Sequence, residues 1–177
     1  NIISGKHYLF QSPSGSGKTT FINALLGKIK GIELSENQPE NYNWEMVVYH
    51  QDMKTNTANI SIKELFELYG NCNFNDKLMK KVCNICLLNN WISSKNIDKE
   101  IKNQISGGEK KRLQLALKMY NLVSHNRKIL ILDEPEQGSD PEIAYQMIEN
   151  IKESLQGKTI LVISHLEKIK KRYKWNY

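Results

Sequence analysis

Ser12-Pro13-Ser14-Gly15-Ser16-Gly17-Lys18-Thr19-Thr20 is the stretch on which the reading of this chain turns. An apolar run, His7–Phe10, leads into it, and apolar residues at helical spacing follow it: Phe21, Ile22, Leu25, Leu26 and Ile29. Glycines here let successive backbone N–H groups turn inward and cradle phosphate oxygens. The helix that starts at the end of the loop adds the positive end of its dipole. Lys18 is then placed to meet the β- and γ-phosphates of a nucleotide, and the Thr19 hydroxyl to ligate Mg²⁺. Ser12 stands where the pattern G-x-x-x-x-G-K-[S/T] has its first glycine. The phosphate-contacting part, from Gly15 to Thr20, is complete.

Three further apolar runs end in polar residues of catalytic type. Residues 46–49 end near Gln51, residues 128–132 end in Asp133-Glu134, and Thr159–Ile163 ends near His165. Two of these runs are almost continuous Ile, Leu and Val, as in strands of a parallel sheet buried on both faces. Helical periodicity follows the run 128–132 at Ile143, Met147, Ile148, Ile151 and Leu155. Strands alternating with helices predict a doubly wound α/β layer. In such sheets ligands bind beyond the carboxyl ends of the strands, where all four polar endings gather. Adjacent strand residues face opposite ways, so one of Asp133 and Glu134 can serve the Mg²⁺ shell while the other faces an attacking water.

Ser106-Gly107-Gly108-Glu109 precedes a helix expected over 110–122. Ser106 and Glu109 alone fit a capping box. Capping does not ask for two glycines, and bare N–H groups at a helix start form a second anion site. The chain has no second nucleotide loop to use that site, so it points to a nucleotide held by another subunit.

The 177 residues, 40% hydrophobic and 25% charged, are sufficient for one domain with a real core. No apolar run approaches the roughly 20 residues of a membrane helix, so a soluble or peripheral protein is expected. Residues 60–104 carry helical spacing at Leu65, Phe66 and Tyr69, then at Leu78, Val82, Ile85 and Cys86, with no strand between. They are read as a helical insert on the α/β core, with the polar run 89–103 as a surface link. Cys72, Cys83 and Cys86 lack the partners of a metal set and are expected to be reduced thiols. The formal charge is +6, and Lys168, Lys170, Lys171, Arg172 and Lys174 close the chain as a basic run. That run reads as a solvated helix face, with nucleic acid or acidic lipid as the alternative.

Together these motifs resemble the ATP-binding cassette (ABC) family. Residues 12–20 look like its phosphate loop and Gln51 like its glutamine loop. Ile105–Glu109, ISGGE, is similar to the signature LSGGQ; Lys128–Glu134 is similar to the Mg-binding strand with its catalytic Glu. Asp140 falls at the end of the aspartate loop, and His165 resembles the switch histidine. The resemblance runs from Ile2 to about Lys170. It implies a P-loop NTPase fold, with a mainly parallel sheet flanked by helices and an inserted helical subdomain over 60–104. Residues 1–177 would form one ABC ATPase domain lacking N-terminal strands, including the one that bears the adenine-stacking aromatic.

The resemblance also implies ATP hydrolysis with Mg²⁺ in a head-to-tail dimer of ABC domains, homo- or heterodimeric. Each nucleotide would lie between the phosphate loop of one subunit (Ser14, Gly15, Ser16, Gly17, Lys18, Thr19 and Thr20) and Ser106, Gly107, Gly108 and Glu109 of the other, near Asp140. Thr19, Gln51 and Asp133 would serve the metal, Glu134 would polarise water, and His165 would hold the γ-phosphate. A transmembrane domain in the same or another chain is the implied partner, at the cytoplasmic face of a membrane. The alternatives are a soluble ABC ATPase acting on nucleic acid or the ribosome, and a non-catalytic interaction module. Against the family pattern, Ser12 replaces Gly, Glu109 replaces Gln and Ser139 replaces Leu.

Overall fold

Four parallel strands form one sheet among the described residues: β1 (His7–Phe10), β2 (Met46–His50), β3 (Ile129–Asp133) and β4 (Thr159–Ile163), in the order β1-β4-β3-β2. The computed structural model describes residues 2–11, 17–29, 45–50, 55, 57, 59–101 and 105–165. The register pairs Leu9 with Val162, Leu132 with Val162, and Tyr49 with Leu132. His50 therefore stands opposite Asp133, and Asp133 opposite Ile163. The carboxyl ends of β2, β3 and β4 are level, which brings their polar endings to one edge.

Side chains alternate across the sheet, as the period of two requires. One face presents Leu9, Val47, Tyr49, Leu130, Leu132, Ile160 and Val162 to the larger core. The other presents Tyr8, Ile131, Leu161 and Ile163, with Phe10, Met46, Val48 and Ile129 beside them. Both faces are covered, so β4 is buried at all five positions.

Helix α1 (Lys18–Leu25) covers the second face through Ile22, its one buried residue. The sequence pattern continues to Ile29, but the helix stops earlier. Gly27 adopts φ 66°, its N–H meets the Ala24 carbonyl, and the Lys28 N–H meets the Asn23 carbonyl. That pair of bonds is a Schellman stop, and glycine is the residue that takes the left-handed turn without a Cβ penalty. Ile22→Ala is expected to destabilise the protein by about 2–5 kcal/mol, since the lost side chain leaves a cavity under the sheet. The check is the denaturant midpoint; an unchanged midpoint would mean that α1 is not anchored there.

The larger core lies on the other face. Helix α5 (Gly107–Ser124) is its axis, buried at Leu113, Gln114, Leu115, Ala116, Leu117, Met119, Tyr120 and Leu122. It touches β2 and β3 on one side and α2 (Ile62–Gly70) and α3 (Asp76–Ile85) on the other. A helix enclosed this way needs apolar residues around most of its circumference. Helix α2 opens on a capping box between Ser61 and Glu64, and α3 on Asn75, whose side chain accepts from the Leu78 N–H. Helix α6 (Pro141–Ser154) adds Ala144, Met147, Ile148 and Ile151 to the same core.

The expectation of a polar surface link over 89–103 is corrected in part. A short helix, α4 (Asn89–Ser93), buries Trp91 and Ile92. Beyond it, the Lys63 N–H bonds the Ile97 carbonyl and the Ile101 N–H bonds the Ile60 carbonyl, which fasten that segment to the start of α2. Cys83 and Cys86 are free thiols inside the core, their Sγ atoms 3.8 Å from the Sδ atoms of Met79 and Met119. Burial pushes the Cys83 thiol up to about 12 and holds the Cys86 thiol well above its ordinary value, so both stay protonated packing groups. No helix among the described residues is long and apolar enough to cross a membrane. The closing basic run lies outside the described residues.

Candidate functional site

Three side chains from three elements converge at the carboxyl edge of the sheet. Lys18, the first residue of α1, sets its Nζ 3.0 Å from Glu134 Oε1. His165, two residues past β4, sets its Nε2 2.6 Å from that same oxygen. The Lys18 Nζ and His165 Nε2 atoms are 2.5 Å apart. Lys18 and Glu134 are mostly buried, whereas His165 is partly open to solvent. With its Nε2 protonated the imidazole donates to Glu134; with that nitrogen bare it accepts from Lys18.

Each element aims its group for a local reason. Gly17 is the N-cap of α1 at φ 87°, a conformation an L side chain would strain, and Lys18 follows at once. Glu134 follows β3 at φ 50°, unusual for a residue with a Cβ. Its N–H donates to the Ile163 carbonyl, and its own carbonyl accepts from Gln137 N–H. Strain of this kind persists where the surroundings over-determine it, and such places cluster at functional sites. It turns Glu134 out of the strand toward Lys18 and His165.

Asp133, the last residue of β3, is only 8% exposed. Its Oδ2 lies 3.1 Å from His50 Nδ1. The neighbouring carboxylates thus have different partners, as strand alternation suggested. Thr19 and Thr20 are exposed on the first turn of α1. Ser14, Gly15, Ser16 and Gln51 lie outside the described residues.

Ser106 caps α5, and the expected capping box is present. The Ser106 Oγ accepts from the Glu109 N–H at 3.2 Å, and the Ser106 N–H donates to Glu109 Oε2 at 2.8 Å. That backbone bond, then the side-chain bond, holds the Glu109 carboxyl below its ordinary range. Glu in place of Gln therefore keeps the box. Gly107 and Gly108 do not take a positive φ, and a Cβ on Gly107 would meet open space, while one on Gly108 would make ordinary contact with Arg112. Among the described residues, nothing demands glycine at either position. Asp140 is placed as the N-cap of α6, its Oδ1 accepting from the N–H groups of Glu142 at 2.8 Å and Ile143 at 3.2 Å. Lys111 of α5 donates to the Gln137 carbonyl, tying this helix to the turn after β3.

Two residues at this edge were not singled out by the sequence reading. His50 was passed over beside Gln51, although its place at a strand end was a signal. Glu136 was passed over because its partners, Ser164 and His165, come together only in the fold.

A parallel sheet whose first strand and first helix flank a glycine-rich sequence, with an acidic strand end and a histidine at its carboxyl edge, is the frame of a nucleotide-binding α/β domain. The model of the ABC transporter family matches residues 1–137. The chain is 35% identical over 179 residues to the Lantibiotic transport ATP-binding protein SrtF of Streptococcus pyogenes, covering 94% of this chain and 71% of that protein. It is 28% identical to the Cell division ATP-binding protein FtsE of Streptococcus pneumoniae, covering 96% of this chain and 76% of that one. Among solved structures, a bacterial Atm1-family ABC exporter with ATP bound shares the fold, with a TM-score of 0.75 at 20% identity over 94% of this chain. This chain spans 30% of that exporter's chain. The chain belongs to the ABC transporter family and is an ATP-binding domain of it.

Proposed function

We propose that this domain binds Mg-ATP and hydrolyses it as one half of a head-to-tail dimer of ABC domains, powering transport by a membrane-spanning partner at the cytoplasmic face. The observation that carries the hydrolytic reading is the meeting of Lys18, Glu134 and His165 on one carboxylate oxygen. A cation and a carboxylate largely withdrawn from water, with an imidazole beside them, gain little net stability, because desolvation offsets their attraction. They make a good set for placing a water against a phosphoryl group.

Lys18 neutralises Glu134 across their ion pair. A nucleotide phosphate competes for the same ammonium, and Lys18 exchanges a carboxylate for phosphate oxygens. Glu134 is then free to take a proton from, or orient, the attacking water. His165 turns its Nε2 to the γ-phosphate. Gly17, Thr19 and Thr20 act with Ser14, Gly15 and Ser16 in holding the phosphates. Thr19, Asp133 and Gln51 offer an all-oxygen donor set, which suits a hard cation such as Mg²⁺. When bound, that ion neutralises charge developing on the phosphates.

The second anion site is Ser106 to Glu109, assigned to the nucleotide of the partner subunit with Asp140 nearby. Ser106 Oγ uses a lone pair on the Glu109 N–H and keeps its proton for an outside acceptor. The two glycines leave the approach open, and no described residue of their own chain requires them. The helices over 60–104 serve as the surface through which a partner membrane domain is driven. Action on nucleic acid, the alternative, has the +6 charge and the closing basic run in its favour.

Ser106→Arg tests the dimer. A bulky cation at the helix start should leave ATP binding by the monomer intact and remove ATP-dependent dimerisation. Sedimentation with and without ATP reads this directly. A variant that still dimerises with ATP reduces Ser106 to a helix cap.

A further inference from the structure

We infer that Glu136 is a positioning residue for His165: its carboxylate fixes the point at which the chain leaves β4, and so where the imidazole stands. The inference rests on the proposed reading of Lys18, Glu134 and His165 as the hydrolytic group.

Glu136 Oε1 accepts two hydrogen bonds. The Ser164 hydroxyl donates at 2.6 Å and the His165 backbone N–H at 2.8 Å. Ser164 is 1% exposed, and its own N–H donates to the Phe10 carbonyl at the end of β1. The exit of β4 is therefore pinned from two sides, by β1 and by the turn that follows β3. His165 is the next residue out.

That turn is itself fixed. The Gln137 N–H bonds the Glu134 carbonyl, the Ser139 N–H bonds the Glu136 carbonyl, and the Glu134 N–H bonds the Ile163 carbonyl. Glu134 and Glu136, two residues apart, hold the two ends of one residue. Glu134 meets the His165 ring nitrogen, and Glu136 meets the His165 backbone.

The choice of a carboxylate also needs explaining. Glu136 Oε2 is buried and has no hydrogen-bond partner among the described residues. An acid buried with one oxygen unpaired costs stability, and one neutral acceptor would satisfy both donors more cheaply. What the clamp supplies to Ser164 and His165 is an oxygen acceptor on an arm of this length, which a neutral amide also carries. A displacement of about 1 Å in a group that must meet a reacting phosphate costs on the order of 10²-fold in rate.

The experiment uses the full protein and measures ATP affinity and turnover for E136A, E136Q, S164A, H165A and E136A/H165A. E136A should lower kcat by about tenfold or more with ATP affinity nearly unchanged, because the phosphate loop is untouched. E136Q keeps an oxygen acceptor on the same arm and should recover turnover to within a few-fold of wild type. S164A removes one of the two bonds and should slow turnover less than E136A does. The double variant should be no slower than H165A, since a residue acting only through His165 has nothing left to place.

A wild-type rate for E136A, a double variant slower than H165A by the full E136A factor, or an E136Q as slow as E136A each overturns the inference. If E136A does not fold, S164A carries the test, alone and with H165A, and a wild-type rate for S164A overturns it. A slow H165A beside a normal E136A sinks only the inference. A normal H165A sinks the reading of the site as well.

Discussion

Lys18→Ala is expected to lower ATP affinity by about a hundredfold or more. A hydrogen bond to a charged group contributes about 1.5–3 kcal/mol. Two such contacts, to the β- and γ-phosphates, together exceed the 2.8 kcal/mol or so of a hundredfold change. The ion pair at this site adds a second reason. Glu134 Oε1 sits 3.0 Å from Lys18 Nζ, so removing the cation leaves an uncompensated carboxylate where phosphate must enter. Lys18→Arg keeps the charge but not the compact ammonium, and should fall between the two. Equilibrium nucleotide binding on folded protein measures the effect. Near-normal affinity for Lys18→Ala would mean that Lys18 does not hold phosphate.

Much of the sheet was legible because burial on both faces leaves continuous apolar runs, as in 129–132 and Thr159–Ile163. The ends were less legible. Asp133 and His50 extend their strands by one residue beyond the apolar pattern, because the ladder is made of backbone bonds and tolerates a polar side chain. The end of α1 is not encoded in the apolar spacing, which continues to Ile29 while Gly27 stops the helix. Helix α4 was hidden because Trp91 and Ile92 are adjacent in a polar run, too short for a periodicity to register.

The site divides in the same way. Lys18, Glu134 and His165 were found because each closes or follows a strand and carries a group with chemistry. Glu136 and His50 act through partners 28 and 83 residues away, and no local spacing encodes that pairing. The capping box at Ser106 was readable because both of its bonds lie within four residues. What the sequence could not separate was a helix cap from an anion site. The structure sharpens that question, since the cap uses Ser106 and Glu109, and no described residue crowds Gly107 or requires a glycine at Gly108.

Glu134→Gln is expected to collapse hydrolysis while sparing nucleotide binding. A general base or a water-orienting carboxylate contributes about 10² to 10⁴ in rate, or roughly 3–5 kcal/mol of barrier at 1.36 kcal/mol per tenfold. Gln keeps the size and an oxygen acceptor for His165 Nε2 at 2.6 Å, but loses the charge and the basicity. It also loses the ion pair with Lys18, which frees that ammonium for phosphate. ATP affinity should therefore hold or rise, and the ATP-bound dimer should accumulate because nothing resolves it. Asp133→Asn should behave differently. Asp133 faces His50 rather than Lys18, and its role is assigned to the metal, so its loss should weaken Mg-dependent binding itself. The comparison is decisive because the two acids are adjacent in sequence and differ mainly in what they face. Turnover and Mg-ATP affinity measured side by side give the answer: a Glu134→Gln rate within a few-fold of wild type removes Glu134 from the reaction, and equal binding losses in both variants would leave no division of labour between them.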